Sequence, residues 1–199
     1  MVSSFRIYEY IGLESMHVTN TQRSFGLISV LLHWSMAIAI IGLFALGVYM
    51  MELGYYDPWY QTGPDIHRSV GILVALVLLL RWLWRLSNAQ PSIEGKPWEQ
   101  IVARSVHRIF YMLMFAVLIS GYLISTANGK AVMVFDWFEA PATLHGYPNQ
   151  EDIAGKVHKY LAYGLIGLVV VHTLAALKHH FIDRDDTLRR MLGLRANKK

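Results

Sequence analysis

Apolar residues run almost without interruption along four stretches of this chain, at residues 27–51, 66–86, 103–125 and 153–177. Each reaches the roughly 20 helical residues that cross a hydrocarbon layer about 30 Å thick. The first contains no charge and a single titratable side chain, His33. The second is uncharged from Ser69 to Leu80 and ends in Arg81-Trp82-Leu83-Trp84-Arg85, the aromatic and basic boundary of a membrane–water interface. The third opens with Arg104, His107 and Arg108 before turning apolar. The connections are polar and broken by Gly54, Pro58 and Gly63-Pro64, then by Pro91, Gly95 and Pro97, then by Pro141, Gly146 and Pro148. The third connection is the longest and is expected to have structure of its own. This pattern predicts an all-α, integral membrane protein, a four-helix transmembrane bundle. Its divisions are an N-terminal segment 1–26, a helical domain 27–177 and a tail 178–199. No internal repeat or second domain is visible.

Composition supports that picture. Hydrophobic residues make up 54% of the 199 and charged residues 16%, against about 45–50% and 25% in soluble domains. With no cysteine, disulfides, thiolate catalysis and Cys-ligated iron–sulfur sites are excluded. A net charge of +4 does not point to nucleic acid, because the cations flank the apolar runs, where headgroups lie. Lys and Arg counting places 14 cations with the termini and the second connection. Only Arg68, Lys130, Lys156 and Lys159 lie on the other side. Both termini are therefore expected in the cytoplasm, with the first and third connections outside. The first run is too long, and lacks the small-residue site, for a cleaved signal peptide; it reads as a retained anchor.

Five of nine histidines fall in or at the ends of these runs: His33, His67, His107, His158 and His172. Ionisable groups there are costly and mark function by default. His158 and His172 are fourteen residues apart, about 40° short of four full helical turns and roughly 21 Å along the axis. They leave nearly the same face at opposite depths. His33 lies seven residues into a span that enters from the cytoplasm and matches His172 in depth; His67 opens the second span and matches His158. One imidazole from each of two facing helices suits a flat iron macrocycle, and ligation removes an unsatisfied ring from lipid. Gly42, Gly47, Gly71, Gly121, Gly164 and Gly167 lie within the spans, where they permit close approach. The competing class is a haem-free, histidine-dependent ion transporter. Such pathways usually add intramembrane carboxylates, and the apolar cores here contain none, which favours haem.

Other residues carry two readings each. His107 lines a quinone pocket or touches a haem propionate, or is a buried hydrogen-bonding residue. His179 and His180 are interfacial residues, or His179 is the donor that a quinone carbonyl needs. Arg68 and Lys159 each follow a proposed ligand; they neutralise propionates, attract an anionic donor, or contact headgroups. His17 and His145 read as solvated.

With these residues in view, the chain resembles the bacterial cytochrome b561 family of dihaem inner-membrane proteins, which includes a superoxide oxidase type. The resemblance covers nearly all of residues 25–191. It rests on Leu32-His33-Trp34, on Ile66-His67-Arg68-Ser69-Val70-Gly71-Ile72 and on Gly121-Tyr122-Leu123-Ile124-Ser125. It also rests on His158 with His172, and on the tail from Ala176 to Phe181 continuing through Asp185-Asp186-Thr187-Leu188. It implies two haem b groups ligated by His33, His67, His158 and His172, and a quinone site near the inner haem to which His179 or His107 contributes. The function expected is electron transfer across the inner membrane between a periplasmic donor protein and the quinone pool. The alternative is an enzyme, superoxide:ubiquinone oxidoreductase. With its Lys-His-His-Phe tail and long third connection, the chain looks closer to a sister branch of the superoxide oxidase type.

Overall fold

The structure, a computed structural model, describes residues 17–194. Most of the expected segment 1–26, and Arg6, Arg195, Lys198 and Lys199 from the charge count, lie outside the described residues. Four long helices follow in order: α1 (Leu27–Met50), α2 (Trp59–Ser87), α3 (Pro97–Thr126) and α4 (Gln150–Lys178). All four are long and apolar enough to cross a membrane. Between α3 and α4 lie two short antiparallel strands, β1 (Val132–Val134) and β2 (Phe138–Ala140). A π-helical turn (His179–Asp183) and a short helix α5 (Thr187–Met191) follow α4.

Helix boundaries depart from the apolar runs in instructive ways. Gly63 and Pro64, expected to break the first connection, lie inside α2, which starts at Trp59. A proline this near a helix start removes only one ladder bond. Gly63 earns its place by packing, since a Cβ there would sit 3.2 Å from Met50 Cγ. Pro97, expected as a breaker, is the first residue of α3, where its missing N–H costs nothing. The Glu99 carboxylate closes that end by accepting from Lys96 N at 2.7 Å.

The chain falls into two compact units. One comprises Met1–Ser35, Leu80–Arg104 and Val170–Lys199; the other comprises Met36–Leu79 and Ser105–Val169. In the second unit Met36, Leu78, Met114 and Leu165, one from each long helix, form the buried centre. Few other apolar residues are buried. Ile38 and Met112 are each 71% exposed, as expected where lipid rather than protein covers the apolar surface. The third connection is stitched to the end of α3. Tyr122 Oη donates to Pro141 O at 2.7 Å and accepts from Thr143 N at 2.8 Å. The fully buried Thr126 hydroxyl lies 3.0 Å from Leu144 O, and Gln150 Nε2 donates to Leu123 O and Leu144 O. The β1–β2 turn has positive φ at both central residues, 46° at Phe135 and 58° at Asp136, with Trp137 N donating to Val134 O at 2.8 Å. That is a type I′ turn without its usual Asn or Gly. Ser69 Oγ accepts from Phe135 N at 3.2 Å and holds it.

In the first unit Asn20 Oδ1 accepts from Gly26 N and Ser29 Oγ at the start of α1. Trp84, in the aromatic and basic boundary, donates from Nε1 to Ser29 Oγ at 3.0 Å. The C-terminal helix is anchored by Arg190, only 6% exposed, which donates to Ser92 O at 2.7 Å and Arg23 O at 3.3 Å. Arg190→Ala is expected to lower stability by about 2 kcal/mol, because it removes two hydrogen bonds donated by a buried charged group and its contact with Glu94. Limited proteolysis of the tail, faster than in the parent protein, is the measurement that checks it.

Candidate functional site

The four histidines proposed from sequence come together in two pairs. In the first unit His33 on α1 and His172 on α4 have ring centroids 6.5 Å apart at 62°. In the second unit His67 on α2 and His158 on α4 stand 6.2 Å apart at 75°. An imidazole nitrogen sits about 2 Å from a first-row metal, with its ring centroid about 1 Å beyond, so rings opposed across one metal have centroids roughly 6 Å apart. Both pairs have that separation.

The surroundings of the second pair fit a bound macrocycle. Its rings border a cavity of ≈ 890 Å³, lined chiefly by apolar side chains such as Leu43, Phe44, Ile72, Met114 and Leu118. That size is within the range of small-molecule sites. His158 Nδ1 donates to Val117 O at 2.9 Å, with Ser120 Oγ at 3.2 Å. The carbonyl fixes the tautomer and leaves the Nε2 lone pair available to a metal. His67 Nδ1 is buried and has no hydrogen-bond partner among the described residues. Each ring also backs onto a glycine of another helix. A Cβ on Gly47 of α1 would lie 3.3 Å from His67 Cε1, and one on Gly121 of α3 would lie 3.1 Å from His158 Cε1. At these two positions a side chain of a neighbouring helix makes the close approach. At Gly42, Gly71, Gly164 and Gly167 an added Cβ would meet nothing within 4 Å.

Arg68 and Lys159 line the same cavity; Arg68 is ion-paired with Asp65. His107 is half-buried on α3 and is not among the cavity-lining residues. In the first unit the Arg81 guanidinium donates to His33 Nδ1 at 3.2 Å. The Trp34 ring stands edge-on to His33 and donates from Nε1 to Met191 O at 2.8 Å. His179 Nδ1 lies 2.8 Å from Asp185 and 3.0 Å from Asp183. Lys178 completes that cluster, 2.7 Å from Asp183 and 3.5 Å from Glu99.

Arg81, Val117 and Ser120 were not singled out from sequence. Arg81 reads as a boundary cation, and a backbone carbonyl has no sequence signature. Ser120 beside Gly121 was the one available hint. Among the described residues no three of His, Asp or Glu gather as a metal-ligating group. Each pair offers two donors, fewer than the four or more that a bare ion takes, which fits a metal that would bring ligands of its own.

Four membrane-length helices presenting opposed imidazoles define a multi-pass membrane protein of the cytochrome b class. The chain matches the prokaryotic cytochrome b561 family over residues 24–194 and belongs to it. It is 49% identical over 180 residues to "Cytochrome b561 homolog 2" of Escherichia coli (strain K12), covering 89% of this chain and 96% of that protein. It is 32% identical over 145 residues to "Probable superoxide oxidase CybB" of Yersinia pestis, covering 69% and 77%. It is 27% identical over 174 residues to "Cytochrome b561 homolog 1" of Escherichia coli (strain K12), covering 83% and 95%. The family transfers electrons in membranes and typically binds b-type haem. The chain is accordingly a multi-pass protein of the bacterial inner membrane.

Proposed function

We propose that this chain is a dihaem cytochrome that carries electrons across the inner membrane between a periplasmic donor and the quinone pool. His67 and His158 hold the outer haem and His33 and His172 the inner one. The observation that carries this reading is the pair of centroid separations, 6.2 and 6.5 Å, at two sites that share the helix α4. Bound haem supplies a one-electron carrier at each site. The protein's part is to fix the rings, exclude water and leave no open iron position for oxygen.

The 14-to-4 partition of cations orients both termini to the cytoplasm. The helical domain is then residues 27–177, with the terminal segments inside. An iron-bound His33 carries its proton on Nδ1, so Arg81 then turns to another acceptor, and a propionate carboxylate suits a guanidinium. His179, held between two carboxylates, is the residue suited to passing a proton to a reduced quinone near the inner pair. Arg68 and Lys159 are propionate partners at the outer pair. The superoxide reading draws support from the relative in Yersinia pestis.

The test is a haem-to-protein ratio with a redox titration of the purified protein. Two haems per chain with two reduced b-type transitions are expected. A protein that stays colourless when supplied with haem would reject the proposal.

A further inference from the structure

The segments 51–68 and 127–159, all within the second unit, carry seven carboxylates against four cations. Their formal charge of −3 runs against +4 for the whole chain, which leaves +7 elsewhere. Membrane orientation accounts for the scarcity of Lys and Arg here, but it is nearly indifferent to Asp and Glu. Half of the chain's 14 carboxylates nevertheless lie in these segments, and Glu52, Asp57, Asp136, Glu139 and Asp152 are exposed. The two cations beside the His67–His158 pair do not reverse the sign. Arg68 is ion-paired with Asp65, and Glu151 lines the same cavity as Lys159.

The β1–β2 turn supplies the apolar part of this face. Trp137 is 71% exposed and Phe138 41%, with Asp136 and Glu139 on either side of them in the chain. Aromatic anchors ringed by charge have the anatomy of a protein-recognition patch. The turn is held in a conformation that Phe135 does not favour. Its holder, Ser69, is two residues beyond His67, so the patch is tied to the helix that presents an outer imidazole.

We propose that this face docks a basic, soluble redox protein that exchanges electrons with the outer pair. The inference rests on the reading of that pair as an electron-entry site. A transient contact of this kind is small and steered by opposite charge. The same charge repels an anion such as superoxide, so a cationic protein is favoured as the donor.

The holoprotein in nanodiscs of zwitterionic phosphatidylcholine is titrated with ferricytochrome c, a small basic haem protein used as the probe. Binding and the rate of oxidation of the reduced protein are both followed. Affinity is expected to fall about tenfold between low and physiological salt. The variant Asp136→Lys/Glu139→Lys/Asp152→Lys should weaken binding by at least as much while its haem absorbance stays unchanged. Ferricyanide, an anionic oxidant, should show the opposite salt dependence. Salt-independent binding, or binding untouched by charge reversal, would overturn the proposal. So would a Trp137→Ala/Phe138→Ala variant that binds the probe normally but incorporates poorly into bilayers, since the turn is then a lipid anchor. The salt titration of the parent protein needs no variant to fold. Cytochrome c binding can be read without haem, so a haem-free chain that still binds it defeats the functional proposal and not the acidic face.

Discussion

His172→Ala is expected to yield a protein with one haem instead of two. The lost ring faces His33 at a centroid separation of 6.5 Å, and a single imidazole gives a haem iron only one of its two axial bonds. The outer pair keeps both rings, with His158 still held by the Val117 carbonyl at 2.9 Å. The haem-to-protein ratio should halve, and one of two redox transitions should vanish while the other shifts little. Added imidazole should restore part of the missing haem by standing in for the lost side chain. Retention of two haems with unchanged potentials would remove His172 from the site, and the pairing of His33 with it. His33→Ala should reproduce the loss.

Gly121→Val is expected to lower haem occupancy at the outer site and spare the inner one. A Cβ at Gly121 already comes within 3.1 Å of His158 Cε1, and valine adds two further methyl groups on that side. His158 cannot simply retreat, because its Nδ1 is fixed to Val117 O on the same helix as Gly121. Overpacking of this kind costs about 1–3 kcal/mol, which as lost affinity is roughly 5- to 150-fold. Gly164→Ala is the control. It sits on α4, and its added Cβ would meet nothing within 4 Å, so haem content should not change. Redox titration of both variants in detergent distinguishes the outcomes. Equal loss of haem in the two would mean that the effect is general helix damage rather than displacement of one ring.

These two predictions differ in what they needed. His172 is legible from its fourteen-residue spacing to His158 and from matching depths along four apolar runs. Period and depth follow from helix geometry and membrane thickness, which sequence encodes directly. Gly121 was legible only as a small residue within a span, alongside five others. What separates it from Gly164 is which side chain stands behind it, and that depends on how neighbouring helices are rotated.

The sequence by itself determined the number of spans, their all-helical character and the four histidines now found in pairs. Lipid forces those features, because uncharged runs of membrane length must satisfy their own backbone and buried imidazoles must find partners. Only the tertiary structure decided the details. Gly63 and Pro64 sit inside α2, where Met50 packs against Gly63. The Phe135-Asp136 turn carries no Asn-Gly signal and is held through Ser69, 66 residues away in the chain. Arg81 reaches His33 across 48 residues. Each of these rests on contacts distant in sequence, which local periodicity does not encode.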